Sequence, residues 1–159
     1  IWMLLESESF CSTGSMDAVY SSHVLGQLYA HELPIALAEM KRVLTRDGLL
    51  VAIVPDLQAV ARMIVDDRLL DTAYESPAGS ITPFAIIYGH RGSIRTGRSR
   101  TANRGGFTLT TLTDALRAAG FASVMGKRRE SAFDLWGLAV PEPMPEDELR
   151  ALFAAVLSD

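Results

Sequence analysis

The sequence predicts an α/β fold with a mostly parallel sheet, and three observations carry that prediction. Met16 to Ser21 (MDAVYS) and Gly48 to Val54 (GLLVAIV) are short apolar runs rich in Val and Ile, the second continuous rather than alternating. Runs of this kind suit parallel strands covered on both faces. Between them Leu33, Leu37, Met40 and Leu44 recur at helical spacing while Glu39, Lys41 and Arg42 point elsewhere, and Asp47-Gly48 supplies a helix stop. The result is a strand, a helix and a second strand, joined by a crossover expected to be right-handed.

The rest of the chain continues the alternation. Asp56 is placed to cap a helix whose apolar stripe is Leu57, Val60, Ala61, Ile64 and Val65. Residues 70–106 are broken by Pro77, Gly79, Pro83 and further glycines, with one apolar run at 84–88. They read as an irregular insertion holding a short helix, and connections this long tend to carry function. Thr108 opens a helix with Leu112, Ala115, Leu116 and Ala119, stopped by Gly120. Two strand-like segments lie close together at about 123–130 and 132–140. A last helix begins near Pro145, with Glu146, Asp147 and Glu148 in its first turn and a stripe through Leu149, Leu152, Phe153, Val156 and Leu157.

At 159 residues the chain fits one domain, 1–159, and its 48% hydrophobic content is enough for a packed core. The net charge of −4 argues against a protein that coats nucleic acid. Charge is unevenly spread, however: no acidic residue lies between Glu75 and Asp114, an interval that carries His90, Arg91, Arg95, Arg98, Arg100 and Arg104. Aromatic residues are missing from Arg91 to Arg104, so a solvated loop is a plainer reading than a platform for single strands. Cys11 is the only cysteine, which rules out an intramolecular disulfide and fits a reducing, cytoplasmic location. The longest apolar run, Leu49 to Pro55, is far short of the roughly 20 residues of a membrane span. Ile1 to Leu5 lacks the flanks of a signal peptide, and a start at Ile1 leads us to expect a longer gene product.

MDAVYSSHVLGQL and HELPIALAEMKRVLTRDGLLVAIVPD resemble the fourth strand, following helix and fifth strand of class I S-adenosylmethionine-dependent methyltransferases. ESPAGSITPFAIIYGHR, GGFTLTTLTDALRAAGFASV and FDLWGLA are similar to a bacterial, type 11-like group of them. The resemblance implies the C-terminal half of a doubly wound, Rossmann-like methyltransferase fold, a partial one, with a mostly parallel sheet and a C-terminal antiparallel strand. It implies S-adenosylmethionine as cofactor. In that superfamily a glycine-rich turn after strand one and an acid ending strand two hold the cofactor. This sequence has no Gly-x-Gly-x-Gly, which leaves Ser21, Ser22 and His23 as its cofactor-binding candidates. Relatives read Glu-His-Leu where this chain has Gly26-Gln27-Leu28, and Met-Ala-His before a basic residue where it has Thr101-Ala102-Asn103-Arg104. Both changes remove a side chain able to carry a proton near neutral pH.

The catalytic candidates are His23, at a strand end where it can accept a substrate proton, and His90 in the insertion. Arg91, suited to an acidic substrate, and Asn103 are the substrate-binding candidates. His31-Glu32, Asp56, Phe133 and Trp136 have simpler readings: helix dipole, helix cap and late-strand core. No pattern for a metal site appears. Three functions stay open: a methyltransferase, or fragment of one, acting on a small molecule or polymer; a non-catalytic interaction module; and an anion or nucleic-acid binder using the arginine loop. A strand over 16–21 without a neighbour is expected to be covered by preceding residues, by Ile1 to Leu5 folding back, or by a second copy in a homodimer.

Overall fold

The computed structural model describes residues 11–77, 79–89, 95 and 102–156. Its main sheet has four strands, β1 (Met16–Ser22), β2 (Leu44–Pro55), β5 (Ser123–Arg129) and β6 (Asp134–Val140), in the order β1-β2-β6-β5. β1 and β2 are parallel, and β6 is antiparallel to both of its neighbours. β5 therefore runs the same way as β1 and β2, and the last strand alone is reversed. This is the mostly parallel arrangement, closed by an antiparallel strand, that the sequence leads one to expect.

Helices cover both faces. On one face α1 (Leu33–Val43) and α4 (Leu109–Ala118) bury Leu37, Met40, Leu112 and Leu116 against Leu50, Ala52 and Val54 of β2. On the other, α5 (Glu146–Val156) sets Leu149 and Phe153 against Val51, Ile53 and Leu138. The period-2 alternation of β2 explains the division, and every residue from Leu50 to Val54 is at most 4% exposed. Each such aliphatic side chain contributes about 1.5–3 kcal/mol through removal from water.

Three details depart from the sequence reading. Helix α1 stops at Val43, and Leu44 opens β2 instead of closing the helical stripe. Its apolar side chain suits either element, and the ladder to Met16 claims it. Gly48 passes close to its neighbours, where a Cβ would stand 3.1 Å from the carbonyl oxygens of Met16 and Thr45. Second, β1 is not covered on both faces. It is an edge of the described sheet, and Tyr20 is 68% exposed, whereas β2 is buried from Leu50 to Val54. Third, the insertion is more ordered than expected: after α2 (Leu57–Val65) it forms a hairpin of β3 (Tyr74–Ser76) and β4 (Gly79–Ile81), followed by α3 (Pro83–Tyr88). No helix among the described residues is long and apolar enough to cross a membrane.

The expected caps are present. The side chain of Asp56 accepts from the Gln58 N–H at 3.0 Å, and Thr108 forms a reciprocal capping box with Thr111. Asp56 does more than cap α2. It is fully buried, and its other carboxylate oxygen accepts from Arg128 Nε of β5. A second buried carboxylate, Asp134, is gripped by the next residue, Arg129, through contacts of 3.1 and 2.6 Å, and also accepts from Trp136 Nε1 at 2.9 Å. Removing one partner of a buried pair leaves a charge without compensation. Asp56→Ala is therefore expected to lower unfolding stability by about 3–5 kcal/mol in a urea titration. Asp114→Ala, which breaks the exposed pair with Arg117, should cost at most about 1 kcal/mol. Equal midpoints for the two variants would refute the account.

Candidate functional site

The sequence places two serines and a histidine where β1 ends, and the fold turns that end into a rim. The His23 N–H donates to the Ile53 carbonyl at 2.8 Å, carrying the parallel ladder one residue past the strand. The chain then turns sharply, with His23 at φ 54°, a left-handed conformation that costs a non-glycine residue of the order of 1–2 kcal/mol. The Gln27 side-chain amide donates to the His23 carbonyl at 2.9 Å and braces this turn. Ser21 shares the sheet face of Val19 and is buried, and its hydroxyl has no hydrogen-bond partner among the described residues. A buried hydroxyl left unpaired costs about 1–3 kcal/mol, so its persistence calls for a reason.

Beside the rim lies a cleft of about 200 Å³. One wall is the turn itself, with His23 and Gln27. The insertion provides the opposite side through Tyr74, Ile81 and Ile86, and the β6 end contributes Phe133. Asn103 closes the cleft on the return of the insertion and donates to the Ile86 carbonyl at 2.7 Å. The neighbouring backbone docks on the 3-10 turn Leu25–Gln27: the N–H groups of Arg104 and Gly105 both donate to the Gly26 carbonyl, at 2.8 and 3.0 Å. Gly26 permits this approach, because a Cβ there would stand 3.3 Å from Asn103 Oδ1. Arg104 adds a bond from Nη1 to the Gln27 carbonyl at 2.8 Å and lies 4.9 Å over the Tyr29 ring. Strands supply one side of the cleft and the insertion the other.

Charge near the cleft is balanced. The Arg129–Asp134 pair is close enough to act on both His23 and Tyr74. Although much of His23 is accessible, the protein crowding its ring lowers the imidazole pKa below 6.5, chiefly by desolvation; Asp134 opposes the shift and Arg129 adds to it. Burial, then Asp134, pushes the Tyr74 phenol above 10.0, with Arg129 opposing. At neutral pH the site thus presents an uncharged imidazole, able to take a proton, and a protonated phenol.

Of the residues singled out from sequence, His23 and Asn103 line this cleft, and Ser21 and Ser22 lie at its strand end. His90 and Arg91 lie outside the described residues, as do Arg98 and Arg100. Arg95 is exposed and Arg104 is engaged in docking, with its side chain on Gln27 and Tyr29. Glu32 accepts from the Tyr29 N–H at 2.7 Å and His31 stacks on Tyr29, so this pair is structural. Phe133, expected in the core, is instead a cleft wall at φ 53°. Sequence reasoning missed Tyr74 and Gln27. Tyr74 is one of two tyrosines in the insertion, and nothing local sets it apart from Tyr88.

Comparison with known proteins agrees with this architecture. Residues 6–52 match the family model described as a methyltransferase domain. An S-adenosylmethionine-dependent methyltransferase from Thermotoga maritima superposes with a TM-score of 0.51 at 13% identity, over 84% of this chain and 59% of its own. A protein of Pyrococcus horikoshii OT3 superposes with a TM-score of 0.53 at 11% identity, over 85% of this chain and 56% of its own. No curated protein matches the chain. The fold is that of class I methyltransferases, as the sequence resemblance implies, and the chain spans little more than half the length of the two structures.

The depressed His23 pKa fixes a sign. Between the folded value and 6.5 the unfolded chain binds more protons, so stability rises with pH across that window. His23 therefore costs stability in acid and nothing once the pH is well above 6.5. An NMR titration should place its midpoint below 6.5, and His23→Gln should flatten the acid limb of the stability profile. A midpoint at or above 6.5 would refute the desolvation of His23 by the folded chain.

Proposed function

We propose that this chain carries the methyl-acceptor side of an S-adenosylmethionine-dependent methyltransferase. One observation carries the reading: the unpaired, buried Ser21 hydroxyl sits at the carboxyl end of the parallel pair, where doubly wound sheets take their ligands. The residues present fit one flank of the cofactor. Ser21 and Ser22 would meet it with hydroxyls and His23 with its backbone turn, while the glycine-rich turn of the opposite flank has no counterpart in these 159 residues. The cofactor, when bound, supplies an electrophilic methyl group.

The chain's own part is to position and to deprotonate. His23 holds a neutral imidazole beside the cleft, where it takes the proton of an acceptor hydroxyl or amine. The apolar walls keep water from competing, and the insertion fixes the acceptor against the rim. His90 and Arg91, which follow Gly89 of the cleft wall directly in sequence, are proposed to complete the acceptor site. A reducing, cytoplasmic setting is proposed for this activity, a reading that the single cysteine of these 159 residues supports.

A second reading is favoured by the edge position of β1 in the described sheet: a module that keeps the fold and binds a partner through that edge. In this reading the edge pairs with a second copy across residues 16–21. Light scattering should then give a dimer mass, lost in a Tyr20→Pro variant that still folds. A monomer at every concentration would refute the pairing.

The main reading is tested by titrating S-adenosylhomocysteine into the labelled protein. The amides of Ser21, Ser22 and His23 should shift, and Ser21→Ala should weaken binding while raising the stability of the free protein by about 1 kcal/mol, since an unpaired hydroxyl is removed. Shifts confined to another surface, or none at saturating ligand, would overturn it.

A further inference from the structure

Two consecutive residues join the opposite walls of the cleft. Asn103 reaches one way, its side-chain amide donating to the Ile86 carbonyl of α3 at 2.7 Å. Arg104 reaches the other way: its N–H donates to the Gly26 carbonyl at 2.8 Å, and its Nη1 to the Gln27 carbonyl at 2.8 Å. The Gly105 N–H adds a further bond to Gly26, at 3.0 Å. Both acceptors end the 3-10 turn Leu25–Gln27. A turn of this kind has poor internal geometry and leaves its last carbonyls without a partner inside it, so Arg104 and Gly105 act as its cap.

Arg104 itself stands on a fixed platform. Its guanidinium lies 4.9 Å over the Tyr29 ring, and Tyr29 is set by its N–H bond to Glu32 at 2.7 Å and by stacking on His31. The turn that Arg104 caps leads straight to His23. The Gln27 side-chain amide donates to the His23 carbonyl at 2.9 Å, while the His23 N–H is fixed on Ile53 at 2.8 Å. A left-handed residue other than glycine persists only where its surroundings over-determine it. The sheet holds one side of this peptide unit; Gln27, and behind it Arg104, hold the other.

We propose that Arg104 is a positioning residue for the cleft: through Gln27 it holds His23 in its turn, and with Asn103 it sets the distance between that turn and the insertion. This deepens the methyltransferase reading and rests on it for the use made of His23 as a base. The positioning itself is a property of the free protein.

The test therefore uses the whole chain without cofactor, followed by NMR. Arg104 is exposed, so its replacement spares the core. In Arg104→Ala the Gly105 amide should exchange with solvent about tenfold faster or more, because the charge-assisted bond beside it is lost. The His23 midpoint should rise towards 6.5, since a loosened turn admits water to the ring. Asp134, Arg129 and Tyr74, the titratable groups that face His23, are unaltered in this variant. The rise should persist in about 0.5 M salt, which screens a direct effect of the lost charge. Gln27→Ala should reproduce it with no change of charge. The double variant decides the route: if Arg104 acts through Gln27, Arg104→Ala adds nothing to Gln27→Ala. Additive changes in the His23 midpoint, or a midpoint unmoved by either single variant, would overturn the proposal. If S-adenosylhomocysteine shifts the rim amides while Arg104→Ala leaves His23 as it was, the positioning role falls alone. If His23 responds and the rim is unmoved by S-adenosylhomocysteine, the positioning role stands and the methyltransferase reading falls.

Discussion

Two buried carboxylates, answered by consecutive arginines of one strand, hold the rim of this sheet together. Asp56 begins the helix that follows β2, and Asp134 begins β6. Arg128 and Arg129 reach them from β5, on whose pleat neighbouring side chains point to opposite faces. The strand end, the helix start and the turn at Phe133 are thereby locked to one another. The Asp56 N–H donates to the Phe133 carbonyl at 2.8 Å, and the Leu57 N–H to the Phe107 carbonyl at 3.0 Å, so backbone bonds follow the same lines. Such pairs add little net stability over apolar packing, but an unmatched member would be expensive, and this asymmetry enforces a single arrangement.

The cleft inherits its shape from that arrangement. Phe133 adopts a left-handed turn next to Asp134 and so presents its ring to Tyr74. His23 feels the same ion pair electrostatically, though its pKa is governed first by the protein around it. A partly desolvated imidazole near a neutralised charge pair keeps its proton-accepting form at neutral pH without a dedicated carboxylate partner. Among the described residues the site is polar in chemistry and nearly neutral in charge.

How much of this could be read from the chain depends on the range of the interaction. The caps at Asp56 and Thr108 were legible because donor and acceptor lie two or three residues apart. The parallel pair was legible because a continuous apolar run such as 49–54 has few other uses. Arg128 with Asp56 was not, since 72 residues separate them and nothing local marks the pairing. Leu44 was misassigned because an apolar residue one turn beyond Met40 fits a helix stripe as well as a strand start. Phe133 reads as core in the sequence because hydrophobicity cannot distinguish a ring that fills space from one that borders it. Strands of three residues, as in the hairpin at 74–81, are too short for any periodicity to register. His23 was found from its position at a strand end, whereas its lowered basicity emerged only from the folded surroundings.

The chain leaves the sheet after Asp56, passes through α2 and the insertion, and returns at Phe107, which bridges back to Asp56 itself. The two ends of this segment, which includes α2, are therefore stapled to one point; Val60 and Met63 of α2 are buried, and the hairpin and short helix beyond them line the cleft. Residues between those staples can be exchanged for others of different length or chemistry without asking the strands to move. Changes of ligand preference in such a molecule would arise as local rewriting of a closed loop, with folding competence carried separately by the layers beneath it.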